Sequence, residues 1–474
     1  MLTINKNADG PKAKYKARWV ARGYSQVEGV DYEETHSPAG RIGSVRMMGA
    51  WSACGDLELT QWDYITAYLN GGMHSKVYIV PPEGVQFPVG WVWLLIKALY
   101  GLKQSGREWY IVLKEFLISI GFVQCKSDPG LFIRTDPSFV AILVYVDDLV
   151  IAAAKGTDMG KLKQDLAKRN KGKDLGDAHH VLGIKIERNR KEKTLSMSQE
   201  RYAKQVLARF GMSSCRPAKT PMETKISLMP RVDDEKAADQ QTYRAIVGSL
   251  MYLAMGTRPD IAYAVGVLGR FASNPSAAHF AAAKRVLRYL QGTIRARLTY
   301  QGKKGLCPIG YVDADWAGDR SDRKSTSGYA FLMAGGAVTW GSKKQASVAT
   351  SSTEAEYVVE SLAGKEGIAL TAFLRDLGED ILKMEILCDN QAAIQVTKNP
   401  VLHQRMKHID ITHFWLRDAV SEDRLTFTYV PTDENPADAL MKALPRAKAD
   451  AHRARLGVEV DGDDGGDDEE DEED

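Results

Sequence analysis

The sequence predicts an α+β region followed by a separate α/β domain, on three observations. Over residues 15–154, short β-branched runs alternate with helical periodicity such as residues 108–120, which suits an α+β layer. From residue 308 a new order begins: strands at 308–313, 328–333 and 337–340, a helix at 354–362 and a strand at 384–388. Helices near Ala392 and Phe414 and a strand at 425–430 follow. Between the two regions, residues 199–210 and 238–290 carry helical patterns, with Pro217 and Pro221 marking a linker.

Within the first region, Asp147 and Asp148 interrupt an apolar run over residues 139–154. Adjacent strand residues point to opposite faces, so both carboxylates reach one site only if the chain turns there. This predicts a hairpin of two buried strands with an acidic tip. Two such carboxylates repel by roughly 4 kcal/mol at an effective dielectric near 20 unless one is protonated or a cation sits between them. A third carboxylate, Asp63, follows the apolar stretch 57–62 and precedes a turn signal. Farther on, residues 181–187 and 194–197 read as a hairpin joined by the charged turn 188–193.

Bulk properties narrow the function classes. A chain of 474 residues holds two or three domains with full cores. Its longest uninterrupted apolar run, residues 139–146, is far short of the roughly 20 residues a bilayer requires, so no membrane span is expected. The N-terminus, with Lys6, Lys12 and Lys14 but no apolar segment, does not read as a secretory signal. The net charge of +2 hides an asymmetry: residues 461–474 hold 11 acidic side chains, and without them the body carries +13. A body that basic favours a polyanionic partner with salt-sensitive binding. Five scattered cysteines without a Cys-x-x-Cys pair point to reduced thiols, not to a zinc knuckle or disulfide frame.

The motifs occur in a recognisable order. They are Tyr15-Lys16-Ala17-Arg18, Gln61 to Gly71 around Asp63, Leu99-Tyr100-Gly101-Leu102-Lys103-Gln104, Tyr145-Val146-Asp147-Asp148, Leu182-Gly183-Ile184, Tyr243-Arg244 and Arg258-Pro259-Asp260-Ile261. Later come Asp313-Ala314-Asp315-Trp316, Ser351 to Tyr357, Lys407-His408-Ile409-Asp410 and Asn435 to Asp438. In this order and over most of its length, the chain resembles the copia-like retrotransposon polyprotein. That resemblance implies α+β polymerase fingers, palm and thumb followed by an α/β RNase H-like domain. The expected division is a truncated leader (1–12), reverse transcriptase with primer grip and thumb (13–225), a mostly helical connection (226–300), an RNase H-like domain (301–446) and a disordered acidic tail (447–474).

The resemblance also implies roles. Asp63, Asp147 and Asp148 would form the polymerase carboxylates, with Asp63 and Asp147 bridging two Mg²⁺ ions or their Mn²⁺ substitutes. Tyr68 would lie beneath the sugar of the incoming nucleotide and exclude a 2′-hydroxyl. Gln104, Arg107, Lys16 and Arg18 are the expected nucleotide contacts, with Arg22 a further basic candidate. Asp313, Glu356, Asp389 and Asp438 match the four-carboxylate RNase H centre, again with two metal ions. Asp315 shares a strand face with Asp313 and is its rival, while Thr353-Glu354-Ala355-Glu356 competes as a capping box unless Ser351 and Glu354 take that role. The expected function is RNA-directed DNA polymerase with RNase H activity, acting on an RNA template, a DNA primer, the RNA–DNA hybrid and dNTPs. Integrase and capsid of the same element are the implied protein partners. The implied place is a cytoplasmic virus-like particle, then the nucleus after reverse transcription. The chain departs from the family pattern at Gly106, where a proline is usual, and at Met441, where a threonine is usual. The alternative is an inactive or domesticated remnant that only binds nucleic acid.

Overall fold

A computed structural model describes residues 2–6, 13–232, 235–398 and 411–460. The chain divides into two compact units, one formed by residues 1–41 and 58–178 and the other by residues 42–57 and 179–474.

The first unit is built on a six-stranded antiparallel sheet in the order Gly172–Asp177, Glu58–Tyr64, Asp148–Ala153, Val140–Tyr145, Leu131–Arg134, Val123–Gln124. The apolar run flanking Asp147 becomes the two central strands. Val140, Ile142, Val144, Leu149, Ile151 and Ala153 pack with Trp109, Leu113, Phe116 and Leu117 of the helix Ser105–Ser119 and with Leu162 and Leu166 of the helix Met159–Ala167. Their spacing of two is the pleat placing alternate side chains on the helical face. Residues between them, such as Leu143 and Val150, are buried as well, so both strands read as continuous apolar runs. The edge strand Gly172–Asp177 is not foreshadowed, because it has no β-branched residue and is largely exposed. Gly172 is required there: a Cβ would meet the Trp62 indole at 2.2 Å.

The second unit carries an antiparallel sheet in the order His180–Val181, Ile184–Asn189, Thr194–Ser198, Arg297–Gln301, Val458–Glu459. The expected strand 181–187 is split by a turn in which Leu182 and Gly183 have φ of +51° and +73°. The expected disorder of 447–474 is corrected for its first part, since residues 446–455 form a helix and Val458–Glu459 a strand. The dense acidic run begins only at Asp461. Before it, Leu456 and Val458 are buried, and Leu298 pairs with Val458. Residues 461–474 lie outside the described residues.

The helices Glu200–Arg209, Gln240–Gly256, Ala262–Gly269 and Ala277–Gly292 share one apolar core. Their ends are satisfied locally: Asp239 accepts from Gln241 N and Thr242 N, and Ser276 pairs with His279 in a capping box. The Arg258-Pro259-Asp260 motif is a buried bidentate ion pair at 2.9 and 2.7 Å, with Tyr289 donating to Asp260 at 2.9 Å. A last sheet runs Gly336–Lys344, Thr326–Met333, Ile309–Ala314, Met384–Cys388, Leu425–Tyr429, antiparallel across its first three strands and parallel across the rest. Its long helix, Ser352–Asp376, outruns the expected 354–362 because Gly364 and Gly367 mask its periodicity. Both glycines let the helix lie close to the sheet: Cβ atoms there would meet Leu425 and Met384 at 2.9 Å. The architecture is mixed α/β throughout, consistent with a reverse transcriptase followed by an RNase H-like domain.

The helix Ile42–Gly55 belongs to the second unit through Arg46. Its guanidinium donates to Val338 O (2.7 Å), Met255 O (2.5 Å) and Gly256 O (2.8 Å) and lies 3.8 Å over the Trp340 ring. Burial lowers its pKa to about 10, which leaves it charged at neutral pH. Arg46→Met leaves the Val338 and Gly256 carbonyls buried without their donor, each costing about 1–3 kcal/mol, and removes the half-buried bond to Met255 O as well. Urea denaturation should register a stability loss of about 3 kcal/mol or more.

Candidate active sites

In the first unit the sheet register pairs Asp63 with Asp148 across neighbouring strands, so both side chains rise from the same face. Tyr145 also pairs with Asp148, leaving Val146 and Asp147 as a two-residue turn. Val146 has φ +59°, a left-handed conformation costing a β-branched residue roughly 1–2 kcal/mol. Two bonds hold it: Trp109 Nε1 donates to Val146 O at 2.7 Å, and Tyr64 N donates to Asp147 O at 2.9 Å. The acidic tip is therefore a fixed structure. Gln61 Nε2 donates to the Asp148 carboxylate at 3.2 Å. Burial raises the Asp148 pKa, the Gln61 bond opposes that rise, and the neighbouring Asp147 adds to it.

Tyr68 lies in the 3₁₀ turn Ala67–Asn70, half-buried. Burial first, then the nearby Asp147 charge, raises the pKa of its hydroxyl. Its ring centroid is 5.0 Å from that of Tyr100, and the Arg18 guanidinium lies 5.5 Å over the Tyr100 ring. Tyr100 thus links Arg18 to Tyr68, and Tyr68 in turn lies near Asp147. Gln104 is placed differently. It is 2% exposed, donates to Asp31 O (2.9 Å) and Ser75 Oγ (3.3 Å), and accepts from Gln26. Arg107 is paired with Glu34 and reaches His36 O at 3.5 Å. Lys16 pairs with Thr3 in the strand Ala13–Ala17, and its side chain lies outside the described residues. Gly106 stands in the first turn of the helix Ser105–Ser119, where the helix forms without the usual proline.

In the second unit, four elements converge at the carboxyl ends of two parallel strands. Asp313 is in the strand Ile309–Ala314, and Asp389 follows its parallel neighbour Met384–Cys388. Glu356 comes from the helix above, where Ser351 caps by accepting from Glu354 N and Glu354 accepts from Thr350. This cap leaves Glu356 facing inward, with Ala314 N donating to it at 3.3 Å. Asp438 opens the short helix Asp438–Met441, placed by Asn435, which donates to Val312 O at 2.8 Å. Lys442 forms an ion pair with Asp438, and His452 Nε2 lies 3.9 Å from its other oxygen. Thr432 donates to Asp389 at 2.6 Å. Asp315, the rival of Asp313, instead accepts from Thr326 N (2.8 Å) and Gly318 N (3.3 Å) in a local turn.

Asp313, Glu356 and Asp438 are buried. Burial, then Glu356, Asp389 and Asp438, pushes the Asp313 pKa well above the carboxylate range. Burial, Asp389 and Glu360 push Glu356 up to about 9. Asp313 Oδ2 has no hydrogen-bond partner. Such a set of hard oxygen donors fits divalent magnesium. Among the described residues, Glu356, Cys388 and Asp389 offer ligand atoms all within 4.8 Å of one another. Roles for Cys388, Glu360, Gln61 and His452 were not anticipated: a lone cysteine, an interior helix glutamate and a histidine downstream of the last motif carry no signal, and Gln61 merely opens the Asp63 motif. Lys407-His408-Ile409-Asp410 lies outside the described residues, as do the side chains of residues 411–414.

A family model described as reverse transcriptase (RNA-dependent DNA polymerase) matches residues 2–224. The chain is 34% identical over 303 residues to a Ty5-1 transposon protein of Saccharomyces cerevisiae, covering 63% of this chain and 98% of that protein. The chain belongs to the copia-like retrotransposon Pol family. It is also 40% identical over 467 residues to the retrovirus-related Pol polyprotein from transposon TNT 1-94 of Nicotiana tabacum, covering 97% of this chain and 35% of that one. The chain spans about a third of the length of the plant Pol polyproteins it matches. Among solved structures, an N-terminal RNase H domain from Mycobacterium tuberculosis, fused to maltose-binding protein, aligns at 15% identity and a TM-score of 0.22, covering 32% of this chain and 98% of that one.

A carboxyl whose pKa is raised by folding holds its proton more tightly folded than unfolded. Its contribution is therefore neutral below pH 4.5 and destabilising as pH climbs toward about 9 for Glu356 and about 8 for Glu360. The melting temperature in chelator should fall across that window. Glu360→Gln should flatten the fall, and Mg²⁺ should reverse it at the alkaline end.

Proposed function

We propose that this chain is an RNA-directed DNA polymerase with RNase H activity that copies retrotransposon RNA into DNA. The observation that carries the polymerase half is the register placing Asp148 opposite Asp63 beside a strained, clamped turn that presents Asp147. Supporting the RNase H half is the convergence of Asp313, Glu356, Asp389 and Asp438 at one sheet end. Asp63, Asp147 and Asp148 would hold the polymerase cations, and the other four carboxylates the nuclease cations. When bound, Mg²⁺ pairs supply Lewis-acid stabilisation of attacking and leaving oxygens.

The chain's own residues do the rest. Trp109 and Tyr64 fix the backbone of the acidic tip, so its carboxylates need no reorganisation when substrate arrives. Gln61 orients Asp148. Tyr68, braced by Tyr100, narrows the space beside Asp147 against a 2′-hydroxyl, while Arg18 brings positive charge toward a triphosphate. In the nuclease centre, Asn435 sets Asp438 and the Ser351 cap aims Glu356. Lys442 moderates the charge on Asp438. The basic body would grip template and hybrid through phosphate, with 2′-hydroxyl contacts and little base sequence preference. The proposed division into reverse transcriptase, connection and RNase H-like domain follows the same reading, as does action in a cytoplasmic particle.

Primer extension on poly(rA)·oligo(dT) with Mg²⁺ and labelled RNA tests both halves. Asp147→Asn/Asp148→Asn should lower extension about a hundredfold or more, the equivalent of several kcal/mol of lost charge stabilisation, and leave RNA cleavage intact. Asp313→Asn should do the reverse. Wild-type protein that binds the hybrid and neither extends nor cuts it would establish a binding-only remnant. For Tyr68, alanine substitution should raise ribonucleotide incorporation relative to deoxyribonucleotide, and an unchanged ratio would remove it from sugar selection.

A further inference from the structure

The floor of the four-carboxylate centre contains chemistry that magnesium does not use. Cys388, the last residue of its strand, is fully buried, with its sulfur 3.9 Å from a Glu356 oxygen. The ligand atoms of Glu356, Cys388 and Asp389 all lie within 4.8 Å of one another. Glu360 follows Glu356 by one helical turn and so shares its helix face. It is 0% exposed, neither carboxylate oxygen has a well-formed hydrogen bond, and its polar neighbours are Cys388 and Glu356. A helix interior does not keep such a side chain in the core without a partner to receive it.

We propose that Glu356, Cys388 and Asp389, backed by Glu360, form a binding site for a thiophilic divalent cation of the zinc class. Sulfur and oxygen ligands on a tetrahedral zinc ion, at bond lengths of about 2.3 and 2.1 Å, stand about 3.6 Å apart. The 3.9 Å separation between Cys388 and Glu356 needs only a few tenths of an ångström of closure. Magnesium takes oxygen ligands and leaves a thiol alone, so the two cation classes are separated by Cys388. On binding, the sulfur–metal bond replaces the S–H bond and the proton leaves to solvent. A zinc-class cation here claims Glu356 and Asp389, two of the carboxylates proposed for RNA cleavage, and so switches that activity off by competition. This last consequence rests on the RNase H reading; the binding site does not.

The test is a Cd²⁺ titration of the full chain, following the ultraviolet thiolate-to-cadmium charge-transfer band. Cys388→Ser should lose one equivalent of that band relative to wild type. Glu360→Gln, which keeps the thiol, should weaken Cd²⁺ binding by about tenfold or more, the scale of a lost supporting group around a metal. Circular dichroism on each variant confirms that it is folded. Superimposable titrations of wild type and Cys388→Ser, or unchanged affinity in Glu360→Gln, would overturn the site. Zn²⁺ inhibition of Mg²⁺-dependent hybrid cleavage provides the functional arm, with inhibition expected to ease about tenfold in Glu360→Gln. Protein that takes up Cd²⁺ through Cys388 and cuts no RNA would overturn the RNase H reading while the site stands.

Discussion

Both candidate centres answer one electrostatic constraint: carboxylates gathered at the end of a sheet cannot all ionise together without a cation between them. Like charges about 4 Å apart repel by about 4 kcal/mol even at an effective dielectric of 20, and burial adds a desolvation cost. In the second unit the constraint is severe, because Asp313, Glu356, Glu360 and Asp438 are all buried. Glu356 and Glu360 respond with pKa values pushed to about 9 and about 8. In the first unit it is milder, since Asp63, Asp147 and Asp148 remain partly open to solvent. In the proposed reading, protons on Asp313 and Glu356 satisfy the constraint without metal, and bound cations would take their place.

The surrounding fold keeps those carboxylates from relaxing apart. Val146 is held in a conformation that its branched side chain disfavours by a bond from Trp109 to its carbonyl and one from Tyr64 N to the carbonyl of Asp147 beside it, and both aromatic residues belong to the apolar core beneath the sheet. Glu356 is aimed by a helix cap that occupies Glu354, and Asp438 by an asparagine bonded to the neighbouring strand. Local strain and unfavourable burial at both sites are balanced by packing elsewhere, as expected where geometry serves chemistry.

Much of this was legible in the sequence because it depends on local pattern. The apolar runs around Asp147 foretold two central strands, and the short apolar runs after residue 308, with Ala334-Gly335-Gly336 between two of them, foretold strands of the last sheet. What escaped depends on long-range packing. Gly172–Asp177 is a strand only because Glu58–Tyr64 offers it an edge. Gly364 and Gly367 look like helix breakers and instead bring a helix close to a sheet. Acidity after Asp461 concealed a folded segment just before it, whose His452 approaches Asp438 across a long sequence separation. Gln104 differs again: its motif position pointed toward nucleotide, and the buried bonds of its amide to Asp31 and Ser75 carried no signal in the sequence.

The exchange of protons for metal ions is the point on which the account turns. Calorimetric titration of the protein with Mg²⁺ in buffers of different ionisation enthalpy measures it directly. The account predicts heats that vary with the buffer, because metal binding expels protons from the Glu356 cluster, and a variation that shrinks in Asp313→Asn. Metal binding with the same heat in every buffer would mean that the carboxylates are already ionised, and would contradict it.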